Sequence, residues 1–188
     1  MSMDPVTTAS LRRALRDTPW PAAARSFLGS IARGGHEPGG LLTVGTPEYE
    51  PWHLTAHLRD DAELRGDHAL VPTLVRRAVP ANAPRHLRHG MERLEEAGRG
   101  ATVLVVSPLA ADEGLLQRVQ DARRRGSTLL AMTTTDPELV ALTHDALVTG
   151  HADEPEALPF EVASHLVSLG LPPLRRWRRR PHLNRELV

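Results

Sequence analysis

Two pairs of possible metal donors recur at one spacing. His53 and His57 lie four residues apart, and Glu161 and His165 repeat the interval. On a helix this spacing stacks two side chains on one face, with Cβ atoms about 6 Å apart, close enough to share an ion. Imidazole and carboxylate donors suit zinc, nickel or ferrous iron. The chain has ten histidines, so such a pair also arises by chance; the competing expectation makes His53 and His57 partly exposed helix residues. His86 and His89 form a further near pair, expected on solvated surface. His144 beside Asp145 is a weaker candidate for acid–base work, and Asp145 also suits a turn-orienting role. Ser107 is not framed by G-x-S-x-G. It reads more simply as a strand-end hydroxyl capping the turn before a helix that Asp112 and Glu113 cap and complement.

Composition removes other chemistries. The chain has no cysteine, which excludes disulfides, thiolate zinc sites and cysteine nucleophiles. Formal net charge is zero, so the whole chain has no polyanion-binding signature. Basic residues do cluster at the end, in Arg175, Arg176, Arg178, Arg179 and Arg180 around Trp177. Such a tail either stacks on nucleic acid or packs on a partner subunit. The second is expected, with the acidic run Asp153-Glu154-Pro155-Glu156 as a complement, so nucleic acid is not an expected partner. No apolar run approaches the roughly 18 residues of a membrane span. Residues 1–16 lack a signal-peptide pattern. A cytoplasmic protein is expected, with no membrane partner.

The elements that must hold these residues follow from periodicity. Residues 6–17 and 22–33 read as helices separated by Trp20-Pro21. Leu41–Val44 reads as a buried strand, residues 50–58 as a helix, and residues 59–67 as a polar stretch. Residues 68–79 are ambiguous between a strand or loop and a short helix; residues 84–96 read as a helix. The pattern is clearest in the middle: strand 101–106, loop 107–112, helix 113–125, strand Thr128–Thr133, a helix opened by Asp136 and Pro137, and strand 146–149. A linker and a last helix, 160–169, follow. Strands alternating with helices at this spacing predict a parallel sheet covered by helices: one α/β domain over residues 1–170, then a basic tail, 171–188.

The run VLVVSPLAADEGLLQRVQDARRRGSTLLAMTTTDPELVALTHDALVTG resembles the sugar isomerase (SIS) family of phosphosugar isomerases and sugar-responsive regulators. The match lies in the order and spacing of elements. Ser107 falls where the family's phosphate loop begins, and Asp145 on its recurring Asp before the last strand. The resemblance implies a flavodoxin-like three-layer sandwich assembled as homo-oligomers, with a small-molecule ligand near Thr46, Glu48 and Ser107. The sequence departs from the family at this chemistry. The first turn, Gly45-Thr46-Pro47-Glu48-Tyr49-Glu50, brings carboxylates that would repel a phosphate. The second loop keeps only the Ser107 hydroxyl, and Pro108 lacks an N–H. Weak or absent binding of sugar phosphates is expected.

The resemblance is nearest the sedoheptulose 7-phosphate isomerase branch, which binds zinc from the two helices that here carry the histidine pairs. It therefore implies a divalent metal, zinc first, on His53, His57, Glu161 and His165. Three functions stay open: a metal-binding SIS-like protein with degraded sugar-phosphate loops, a metal-assisted aldose–ketose phosphosugar isomerase, and a non-catalytic ligand-sensing or scaffold module.

Overall fold

The computed structural model describes residues 10–11, 13–34, 40–150, 154 and 157–168. Five strands, β1 (Leu41–Val44), β2 (Thr73–Val75), β3 (Thr102–Ser107), β4 (Thr128–Thr133) and β5 (Asp145–Val148), form one sheet. Its order is β2-β1-β3-β4-β5 and every pairing is parallel. β1 and β3 are buried along their whole length, as parallel strands covered on both faces require.

The side chains of successive strand residues divide between two cores. Leu41, Leu104, Val106, Leu130, Met132 and Leu147 pack with helices α1 (Trp20–Gly34), α2 (Trp52–Arg65) and α6 (Phe160–Ser168). Leu42, Val44, Val103, Val105, Leu129 and Ala131 pack on the other face with α3 (Glu92–Glu95), α4 (Glu113–Arg124) and α5 (Pro137–Leu142). This is the expected three-layer α/β sandwich with a central parallel sheet, and its strand order is the flavodoxin-like one.

Three local expectations change. Trp20-Pro21 does not interrupt a helix but begins α1, where a missing proline N–H costs nothing because first-turn amides have no intrahelical acceptor. α2 does not stop at Leu58. Ala62, fully buried four residues further on, continues the Leu54–Leu58 stripe. The helix ends where Gly66 turns left-handed, φ 67°, and the Gly66 and Asp67 amides cap Glu63 and Ala62 carbonyls. The helix expected over 84–96 splits into a 3-10 turn, Arg85–Leu87, and the short α3. Between them the Arg76 amide takes the His89 carbonyl at 2.8 Å, and the Glu92 carboxylate takes the Gly90 amide at 2.9 Å. The first bond ties the segment to the end of β2, and the second lies at the start of α3.

Of the expected first helix, residues 10, 11, 13 and 14 are helical. The remaining N-terminal residues 1–9, most of the linker and the arginine tail lie outside the described residues. No helix among the described residues is long and apolar enough to cross a membrane.

Candidate functional site

β1 and β3 are neighbours, but their connections lead to opposite sides of the sheet. In an open parallel sheet the crevice at the carboxyl ends of such strands is the usual ligand position. The turn after β1 is tight. A Cβ at Gly45 would stand 1.8 Å from the Tyr49 carbonyl oxygen, so no other residue fits without moving backbone. Thr46 pairs back with Tyr49. Its side chain is buried, and its Oγ1 has no hydrogen-bond partner among the described residues. Glu48 is exposed at the tip. Tyr49 turns toward α6 and meets the Phe160 ring edge-on at 5.5 Å. Its hydroxyl is pushed up to about 12, first by burial and then by the nearby Glu161 charge, with the Ser164 hydroxyl acting in the opposite sense.

The β3–α4 turn is filled by the chain's own groups. Ser107 is buried, and its hydroxyl donates to the Leu109 carbonyl, the turn-capping role. Asp112 caps α4, accepting the Leu115 amide at 3.0 Å. Asp136 caps α5 through the Leu139 amide at 2.9 Å and also accepts the Ala111 amide at 2.8 Å from across the loop. A helix N-terminus attracts anions through unsatisfied amides; here Asp112 takes the Leu115 amide of α4 and Asp136 the Leu139 amide of α5.

Arg76 and Arg77, which directly follow β2, change the expected electrostatics. Glu50 is paired with Arg76 at 3.0 Å, and Arg76 also lies over the Trp52 ring, 4.7 Å from its centroid. Asp112 is paired with Arg77. Of the carboxylates expected to repel a phosphate, Glu50 is therefore neutralised, and so is Asp112 across the crevice. Both arginines lie in the proline-bracketed stretch where periodicity is ambiguous. The signal that could have found them is an Arg-Arg pair directly after the apolar run Thr73–Val75.

The histidines of α2 and α6 do meet. His53 Nε2 stands 3.2 Å from His165 Nδ1, a hydrogen bond between rings. The His57 ring lies edge-on to His53 with centroids 4.5 Å apart. Burial and then the neighbouring His57 and His165 hold the His53 imidazole below its usual 6.5. Glu161 is exposed, although its charge is felt at both Tyr49 and His53. Among the described residues no group of three or more His, Cys, Asp or Glu side chains is arranged to hold a metal ion. The expected four-donor set is thus not preassembled.

His144 and Asp145 lie at the amino end of β5, opposite the crevice. His144 Nδ1 accepts the Leu129 amide at 2.9 Å, and Asp145 accepts from Ser30 and from the Ala146 amide. Both have structural work there, not acid–base work in the crevice. The His86–His89 segment supplies the carbonyl that ends β2, already described.

No family model and no curated protein matches the sequence. Among solved structures, the chain is similar to a protein from Salmonella typhimurium LT2 described as a phosphosugar isomerase. The TM-score is 0.50 at 13% identity, over 79% of this chain and 42% of that one. The fold is of the SIS type. The Vibrio vulnificus NanR protein, solved with ManNAc-6P, overlays 87% of the chain at 14% identity with a TM-score of 0.45. The chain spans 42% and 56% of those two chains' lengths. The similarity is one of fold and does not select the sedoheptulose 7-phosphate isomerase branch.

Proposed function

We propose that this SIS-type chain binds a small polar ligand at the carboxyl edge of its sheet and does not isomerise sugar phosphates. The observation that carries the reading is the occupation of the β3–α4 turn by Asp112 and Asp136, which consume the Leu115 and Ala111 amides that would otherwise meet a phosphate. Thr46, buried and without a partner for its hydroxyl among the described residues, supplies a polar group directly after β1 that the chain leaves unused. Aldose–ketose isomerisation moves a proton between two adjacent carbons and requires a positioned base. Glu50 is held by Arg76, and Glu48 faces solvent, which leaves neither carboxylate fixed over the crevice. The test is to incubate the chain with aldose phosphates in deuterated water and follow the C2 proton by NMR. No exchange and no ketose are expected; turnover above the protein-free rate overturns the proposal.

A second reading has separate support. Two ring nitrogens 3.2 Å apart, those of His53 and His165, match the edge of a tetrahedron with metal–nitrogen bonds of about 2.0–2.1 Å. We propose that a divalent metal, zinc first, is held by these two histidines once the His57 ring or the exposed Glu161 swings in as a third donor. Equilibrium dialysis against zinc is expected to load one ion per chain, and a His53→Ala, His57→Ala variant to lose it. A wild type that stays empty overturns this reading and leaves the first untouched.

A further inference from the structure

Beside β5 lies a cleft of about 460 Å³, within the roughly 300–1,000 Å³ of small-molecule pockets. Among the described strands β5 is at the edge, bonded to β4 alone. The cleft runs between that strand and the start of α1. Pro19 and Trp20 form one wall, Val148, Thr149 and Gly150 the other, and Glu154 reaches in from the chain beyond. Two features set it apart from a surface groove. Thr149 is 1% exposed, yet its Oγ1 has no hydrogen-bond partner among the described residues. Gly150 is left-handed, φ 76°, and a Cβ there would come within 2.7 Å of a Glu154 carboxylate oxygen. The glycine is what allows that carboxylate to lie against the strand end.

Charge then selects the occupant. Glu154 is the one ionisable group among the described residues that line the cleft, and no arginine is among them. An anion would meet that carboxylate with no cation among those residues to offset it. An ammonium group would gain the Glu154 carboxylate, the face of the Trp20 indole and the Thr149 hydroxyl as an acceptor. The Pro19 and Val148 side chains offer apolar contact to a hydrocarbon body. We propose that this cleft is a binding site for a small organic cation, an ammonium group carried on a compact apolar frame. The site is separate from the β1/β3 crevice and does not depend on how that crevice is used.

The test uses the full chain, isotopically labelled, with three matched probes: cyclohexylammonium, cyclohexanol and cyclohexanecarboxylate. Cyclohexylammonium alone is expected to shift the Trp20 indole and the Thr149 and Gly150 amides with a saturating dependence on concentration. Glu154→Gln, an exposed loop substitution with no folding consequence expected, should weaken that binding at least about tenfold. Gly150→Ala, which displaces the carboxylate, should weaken it as well. Equal shifts from all three probes, a response that does not saturate, or unchanged affinity in Glu154→Gln would overturn the proposal.

Discussion

At the β3–α4 turn the Ser107 hydroxyl, the Ala111 amide and the Leu115 amide are all bonded to the chain's own oxygens. At the end of β5, on the same sheet, the Thr149 hydroxyl lacks a partner among the described residues and a single carboxylate sits over a glycine. Both regions belong to a parallel sheet whose carboxyl edge the fold makes a general ligand position. Two aspartates take a loop amide and a helix-terminal amide of one region, while the other keeps an open cleft lined by a carboxylate. The fold supplies the location, and a few loop residues decide which charge is admitted.

Gly45→Ala should have the largest effect on this contrast, because its Cβ would collide with the Tyr49 carbonyl and disturb the crevice from the β1 side. A loss of about 3 kcal/mol is expected from urea unfolding. The β5 cleft, walled by other elements, should keep its cyclohexylammonium response wherever the variant remains folded. Asp136→Ala removes the acceptor for two backbone amides, Leu139 and Ala111. A loss of about 2 kcal/mol is expected, with faster hydrogen exchange at Ala111 than in the wild type.

The histidine cluster sharpens the comparison by pH. The His53 imidazole is held below its usual 6.5 in the folded chain, by burial and then by His57 and His165. The unfolded chain therefore binds more protons between that folded value and 6.5, and stability falls as pH drops through this window. The contribution is complete above about 6.5. Melting curves from pH 7.5 to 5.5 should show the decline, and His53→Gln should flatten it; an unchanged slope in the variant would assign the decline to other groups.

Much of the second half of the fold was legible. Continuous apolar runs marked β3 and β4, and Asp112, Asp136 and Pro137 marked the helix starts where the structure has them. The first half was less so. The solvent-facing charges of residues 59–65 hid the continuation of α2, since only Ala62 carries the buried stripe onward. The break within 84–96 depends on a bond from Arg76 to His89 that no local pattern announces. At the site, the i,i+4 spacing of His53 and His57 was readable, and so was a neighbourly α6. The second bond of Asp136, to Ala111 twenty-five residues away, and the neutralisation of Glu50 by Arg76 are tertiary facts. They weaken the electrostatic reason for weak phosphate binding and add a hydrogen-bonding one.

Asp112→Gly should change stability least, by about 0.3 kcal/mol, because glycine is tolerated at a helix N-cap. It nevertheless leaves the Leu115 amide without a side-chain acceptor and releases Arg77. Calorimetric titration of heptulose and hexose phosphates into the wild type and this variant, side by side, is the most direct test that the chain's own carboxylates close the phosphate position. No saturable heat is expected from the wild type, and measurable binding is expected from Asp112→Gly. Micromolar binding by the wild type, or a variant as silent as the wild type, would contradict it.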